Sequence, residues 1–243
     1  GRRIGYLLTG LIALLIASLA EIGAGISLGS VNELIAMLPG LLLLVPPSID
    51  MRGNISGALV SRLASSMHLG EFEIKLAEES VLGDNIRAAI IITLVISLLL
   101  GLMASGTAGL MGIHGLTPLD FTLISVFSGI LSGSLLILFT LVISAASYWY
   151  GLDLDMIGAP SVTAIGDLVT VPILLITALG VLRIPMEIRV ACGIAILILA
   201  ILLVAYTSRT TDRIRSIFRE SLMLLPLLAF LGIFAGAVYS TEA

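Results

Sequence analysis

The chain has 243 residues, of which 58% are hydrophobic and 12% are charged, and its mean hydropathy is +1.19. Because a soluble domain carries about 25% charged residues, this composition excludes an ordinary soluble protein and predicts an all-α integral membrane protein in contact with the lipid bilayer. The net charge of −4 comes without any basic cluster interleaved with aromatic residues, so we expect no nucleic-acid partner.

Seven apolar segments approach the roughly 20 residues that a membrane-spanning helix needs. They cover residues 4–28, 34–65, 86–111, 119–150, 161–182, 188–206 and 217–239. We expect the second segment to be broken near Pro46-Pro47, since proline cannot continue a helical hydrogen-bond ladder. A broken helix at membrane depth is tolerated where it is buried or lines a cavity. The sequence therefore predicts a polytopic helix bundle.

The charged stretch at residues 71–87 lies between the second and third apolar segments. It predicts a short amphipathic helix at the membrane interface, with a cation-attracting patch as the alternative.

The basic residues predict the orientation of the chain. Lysine and arginine flank the second-to-third and sixth-to-seventh connections, whereas the first-to-second and third-to-fourth connections have none. By the positive-inside rule we expect a multi-pass protein of the plasma membrane with a cytoplasmic N-terminus and an external C-terminus. Arg183 and Arg189 are exceptions, because this topology places them outside.

A single carboxylate, Asp167, interrupts the fifth apolar segment. A charged group at membrane depth costs about 2.5–3.5 kcal/mol on insertion scales and marks a functional site by default. Thr163 and Thr170 share its helical face by spacing, and Gly166 beside it leaves room for close approach. Carboxylates, hydroxyls and backbone carbonyls are the ligands of a hard cation, so we expect an ion to bind here.

A second polar group follows the predicted helix break and consists of Asp50, Arg52 and Asn54. A broken helix exposes backbone groups that build ion sites near the middle of the membrane. The structural alternative is an ion pair of Asp50 with Arg52 or Arg62 that only stabilises the break.

Two groups of residues resemble the MgtE-type divalent cation transporters, and are closest to their eukaryotic solute-carrier relatives. The first group is Pro46, Arg52-Gly53-Asn54, Ser61-Arg62-Leu63, His68 and Gly70-Glu71. The second group is Asp153-Leu-Asp155, Pro160, Val162-Thr163 and Gly166-Asp167, which is similar to the family's Asp-Pro-Asp…Pro…Val-Thr…Gly-Asp signature. The chain departs from the family pattern at Asp50, Leu154 and Met156.

The resemblance implies a five-helix transporter unit over residues 1–183, followed by two additional helices over residues 184–243. It implies a pore lined by the second and fifth helices at the interface of a parallel homodimer, with Asp167 at its centre. The transported ion would be Mg²⁺, with Mn²⁺ or another divalent cation as an alternative.

The predicted metal-site residues extend from this centre to the cytoplasmic mouth. They are Asp167, Thr163, Gly166, Asn54, Asp50, Asp153 and Asp155. Asp153 and Asp155 would attract cations, or alternatively only cap the start of the fifth helix.

Two other functions compete with transport. A non-transporting membrane scaffold is one, and an intramembrane aspartyl hydrolase that uses Asp155 and Asp167 is the other; we expect no enzyme. His68 and His114 are too far apart in the sequence to predict a zinc site.

Overall fold

A computed structural model describes residues 38–77 and 79–242, together with ten helical residues between positions 11 and 29. The described residues form helices and no strand: a 3₁₀-helix, Pro39–Leu43, and then α1 (Val45–His68), α2 (Val81–Met111), α3 (Pro118–Tyr150), α4 (Leu154–Arg183), α5 (Met186–Thr207) and α6 (Asp212–Glu242). Five of them, α2 to α6, are long and apolar enough to cross a membrane. The prediction of an all-α, polytopic membrane protein is confirmed. Most of the first predicted segment lies outside the described residues.

The second apolar segment changes helix type at its prolines. The 3₁₀-helix ends at Leu43, and α1 begins at Val45 with Pro46 and Pro47 in its first turn. The amides that proline lacks would have no intrahelical partner in a first turn, so both prolines fit there. The helix that carries Asp50 and Asn54 therefore starts five residues before Asp50 and nine residues before Asn54, about one and a half and two and a half turns.

The prediction of an amphipathic helix at residues 71–87 was wrong for its first half. The described residues from 71 to 80 are not helical, and α2 begins at Val81 after Ser80, whose hydroxyl accepts a hydrogen bond of 3.0 Å from the Gly83 amide. Phe72 is buried, but most of its neighbours are exposed. A short helix needs an apolar face against the protein to be stable, and one anchoring ring does not make such a face.

Helix α1 packs on α4 and α6, which flank it, and also on α2 and α3, while one of its faces stays exposed. Glycines allow its close approach to both flanking helices. A Cβ atom at Gly158 of α4 would lie 2.6 Å from Val60 Cγ1, and one at Gly232 of α6 would lie 2.8 Å from Pro47. Small residues at contacts between membrane helices permit this packing.

Ion pairs join helix ends on both sides of the bundle. Asp120, in the first turn of α3, accepts a hydrogen bond from Arg189 of α5. Asp84, in the first turn of α2, lies 3.6 Å from Arg87 and 3.8 Å from Arg213 of α6. The pairing with Asp120 neutralises one of the two arginines that the positive-inside rule left as exceptions.

Candidate functional site

A cavity of about 350 Å³ opens between α1 and α4, where it brings together the two sequence motifs. Ile49, Asp50, Gly53 and Asn54 of α1 line one wall, and Thr163 and Asp167 of α4 line the other. The cavity residues of the two motifs are more than a hundred positions apart in the chain. Their polar side chains nevertheless border one space, because α1 and α4 pack side by side.

Helix α1 contributes Asp50 and Asn54 from successive turns of one face. Asn54 Nδ2 donates a hydrogen bond of 2.8 Å to the Asp50 carbonyl oxygen. This bond uses the donor end of the amide and leaves its Oδ1 atom as an acceptor. Gly53 lies between them, and a Cβ atom there would be 3.8 Å from Thr163 Cγ2, so the absence of a side chain keeps the two walls close.

Helix α4 contributes Thr163 and Asp167, which are one turn apart and half-buried. Gly166 and Thr170 do not line the cavity. Thr170 is buried and donates a hydrogen bond of 2.6 Å to the Gly166 carbonyl oxygen. A Cβ atom at Gly166 would lie 3.5 Å from Leu136 of α3, so this glycine serves helix packing. Among the residues expected to border the ion, Thr163 and Asp167 therefore share the cavity, and the place of Gly166 in a metal site stays a prediction.

Arg52 follows Asp50 in the sequence by two residues but points to the opposite side of α1. Its side chain is 2% exposed, and it donates hydrogen bonds of 3.1 Å to the Gly129 carbonyl oxygen and of 2.7 Å to Ser97 Oγ. A buried charge needs such partners, because desolvation without them costs several kcal/mol. Arg52 therefore anchors α1 to α2 and α3 from behind the cavity.

The ion pairs that the sequence offered as a structural alternative do not form. Arg52 has the partners just described, and Arg62 Nε donates a hydrogen bond of 2.7 Å to Asn85 Oδ1 of α2. Asp50 is exposed and has no basic partner among the described residues. Its carboxylate is therefore available to the cavity.

A stripe of small and polar residues continues from the cavity along the exposed face of α1. Its members, spaced three or four residues apart, are Asp50, Asn54, Ala58, Ser61 and Ser65. By contrast, α5 exposes many large apolar residues, among them Ile194, Leu197, Ile198, Ile201 and Leu202. Lipid-facing helices carry apolar side chains, so the face of α1 differs from a lipid contact.

The other two predicted metal-site residues lie at the far end of α4. Asp153 caps this helix and accepts a hydrogen bond of 3.1 Å from the Asp155 amide. Asp155 lies 3.3 Å from His68, the last residue of α1. In the sequence His68 has only the distant His114 as a second histidine, so no zinc site was expected there; its proximity to Asp155 follows from the packing of α1 on α4.

The hydrolase hypothesis needs Asp155 and Asp167 to be adjacent. Both lie on α4, twelve residues apart, which is about 18 Å along a helix at 1.5 Å per residue. They therefore cannot share a proton as an aspartyl pair does.

Comparisons with known proteins identify the family of this chain. The model of the family described as "MgtE: Divalent cation transporter" matches residues 45–177, which is more than half of the chain and contains α1, α2, α3 and most of α4. The chain is 25% identical to solute carrier family 41 member 3 of Rattus norvegicus over 171 residues, which is 67% of this chain and 36% of that protein.

The counterpart in Mus musculus is 25% identical over 140 residues, or 55% of this chain and 28% of the relative. The chain thus spans about a third of the length of the curated relatives it matches. No solved structure matches it. The family match contains every residue of the α1–α4 cavity and both motifs that the sequence singled out, and the chain belongs to the MgtE family of divalent cation transporters.

Proposed function

We propose that this protein moves a divalent cation, Mg²⁺ in the first place, along a path lined by α1 and α4, with Asp167 as the central ion-binding carboxylate. The observation that carries the proposal is the cavity in which Asp167 and Thr163 face Asp50 and Asn54. A transporter of this kind performs no covalent chemistry and is not an enzyme.

The chemistry of the cavity suits a hard cation. Its polar side chains offer carboxylate, hydroxyl and amide oxygens. None of them carries an imidazole nitrogen or a thiol sulfur that could bind a metal ion. Mg²⁺ retains several of its waters and is usually bound through one or two carboxylates. A cavity of about 350 Å³ leaves room for such a hydrated ion. Mn²⁺ would be accepted by the same ligands.

The path would be completed by a second copy of the chain in a parallel homodimer. The exposed polar stripe on α1 supports this arrangement, because it would border water or protein more readily than lipid. A two-fold axis beside the stripe would place two Asp167 carboxylates opposite each other. A double charge crossing an inside-negative membrane of 100 mV gains about 4.6 kcal/mol, enough to drive uptake.

The orientation that we propose has a cytoplasmic N-terminus and an external C-terminus in the plasma membrane. Asp153 and Asp155 then lie at the cytoplasmic mouth, where two exposed acids raise the local concentration of cations. Their separation from Asp167 makes them modulators of transport.

The proposal is tested by Mg²⁺ uptake into proteoliposomes that contain the purified chain and carry an inside-negative potassium diffusion potential. Asp167→Asn preserves shape and removes the charge, so it should abolish most of the flux while the protein elutes and melts as the wild type does. Asp212→Asn is the matched control, because that carboxylate is exposed and, among the described residues, pairs with Arg215 alone.

Wild-type flux through Asp167→Asn would overturn the assignment of this residue. If the wild-type chain itself carried no divalent cation, the scaffold function would replace transport.

A further inference from the structure

Three metal-ligating side chains meet where α1 ends and α4 begins. His68 Nε2 lies 3.3 Å from Asp155 Oδ2, and one ligand atom from each of His68, Asp153 and Asp155 lies within 4.8 Å of the others. Asp153 Oδ1 accepts the Asp155 amide, which leaves its second oxygen available. These three residues are called the mouth cluster below.

Helix packing builds the mouth cluster. Gly158, one turn into α4, contacts Val60 of α1 closely, as described above, and Leu154 is 2% exposed between the two acids. These contacts fix the first turn of α4 beside the last turns of α1. Gly151, with φ of 64°, ends α3 and turns the chain back toward this point.

A buried hydroxyl independently points to a ligand in the same place. Ser147, in the last turn of α3, is 1% exposed, and its Oγ atom has no hydrogen-bond partner in the described structure. It borders a cavity of about 330 Å³ together with His68 and Asp153. An unpaired buried hydroxyl costs about 1–3 kcal/mol. The Oγ atom lies just beneath the cavity wall, so rotation of the side chain toward the cavity would give it a partner in a water bound to a metal ion there.

We propose that the mouth cluster binds a first-row transition-metal dication of the Zn²⁺ class, with Ser147 bonded to a water of that ion. Zn²⁺ takes imidazole and carboxylate ligands and often three protein ligands with one water. An imidazole nitrogen favours such metals over Mg²⁺, which takes oxygen ligands. The site is therefore chemically distinct from the all-oxygen cavity at Asp167, and it does not depend on the proposed transport function.

The experiment titrates the purified full chain in detergent with Zn²⁺ by calorimetry, in buffer that contains millimolar Mg²⁺. We expect one Zn²⁺ per chain. Substitution of Co²⁺ should give the visible absorption of a nitrogen- and oxygen-ligated ion. His68→Gln and Asp155→Asn should each weaken Zn²⁺ binding by more than about 100-fold, and Ser147→Ala, which removes an outer partner, by about 10–100-fold.

Two variants serve as controls. His114→Gln removes the other histidine of the sequence, which is exposed in the connection between α2 and α3. Asp167→Asn removes the central carboxylate. Both should bind Zn²⁺ as the wild type does, whatever happens to Mg²⁺ flux.

The proposal is overturned if His68→Gln and Asp155→Asn retain wild-type affinity, or if millimolar Mg²⁺ abolishes Zn²⁺ binding. It is also overturned if the His68→Gln protein only loses thermal stability, since a mere ion pair with Asp155 would behave in that way.

Discussion

Arg52 on α1 and Ser97 on α2 are joined by a hydrogen bond of 2.7 Å from guanidinium Nη2 to the hydroxyl oxygen. The bond places a positive charge in the core directly behind the helix face that carries Asp50 and Asn54. The orientation of that face thus depends on a contact that points away from it.

Arg52→Ala should therefore destabilise the protein. It removes a large buried side chain and leaves the Gly129 carbonyl and Ser97 without their donor, so the free energy of unfolding should fall by about 2–5 kcal/mol. Arg52→Lys should recover little of this stability, because an ammonium group cannot reproduce the planar, forked guanidinium that bonds to both partners.

Thermal melting in detergent measures the effect. Arg215→Ala is the control, since this arginine is half-exposed and its bonds to Asp212 and to the carbonyl oxygens of Ser208 and Thr210 lie at the surface, where water replaces lost partners and an ion pair is worth about 0–1 kcal/mol. Equal melting temperatures for Arg52→Ala and the wild type would show that the anchor contributes nothing.

Gly129 should not tolerate a methyl group. A Cβ atom there would overlap Ser97 Oγ and lie 2.7 Å from Arg52 Nη2, and overpacking of this kind costs about 1–3 kcal/mol. Gly106 of α2 offers the matched control, because a Cβ atom at that position meets nothing within 4 Å. Gly106→Ala should stabilise its helix by about 0.5–1 kcal/mol. Opposite signs of the two shifts in melting temperature are the expected result, and a neutral Gly129→Ala would contradict it.

The proposed dimer predicts crosslinking along the polar stripe of α1. In a Cys192→Ser background, which removes the one native cysteine, Ser61→Cys should form a disulfide-linked dimer in native membranes under mild oxidation, because residues beside a two-fold axis meet their own copies. Ile198→Cys on the apolar face of α5 is 53% exposed in the single chain and should remain monomeric. A dimer from Ile198→Cys with none from Ser61→Cys would place the interface elsewhere.

Substitutions of the two acids at the mouth distinguish the effect of their charge on transport from the effect of helix capping on stability. Asp155→Asn should raise the apparent KM for Mg²⁺, most visibly at low ionic strength where screening is weak. Asp153→Ser keeps a capping oxygen for the Asp155 amide and removes only the charge. Asp153→Ala also removes the cap and should lower the free energy of unfolding by about 0.5–2 kcal/mol more. Measuring flux and melting temperature on the same preparations distinguishes the effects. An unchanged KM in Asp155→Asn and Asp153→Ser would leave capping as the only role.

Much of the membrane architecture is readable from the sequence. The apolar segments predict helices because a bilayer demands internal hydrogen bonding over about 20 residues, and five of the described helices meet that demand. Asp167 stands out in the sequence because a carboxylate in such a segment is costly to place in the bilayer and therefore indicates a functional site. Pro46 and Pro47 predicted a break in the second segment, and in the structure both prolines lie in the first turn of α1, a position that suits proline.

The tertiary structure alone decided which polar residues share a space. Helical periodicity placed Thr170 with Asp167, but the hydroxyl of Thr170 bonds to the Gly166 carbonyl of its own helix. Helical periodicity also could not show that Arg52 turns into a polar recess between α2 and α3, or that His68 reaches Asp155. Periodicity describes one helix at a time, whereas these contacts depend on the rotation and approach of neighbouring helices, which small residues such as Gly158 permit and which the whole core determines.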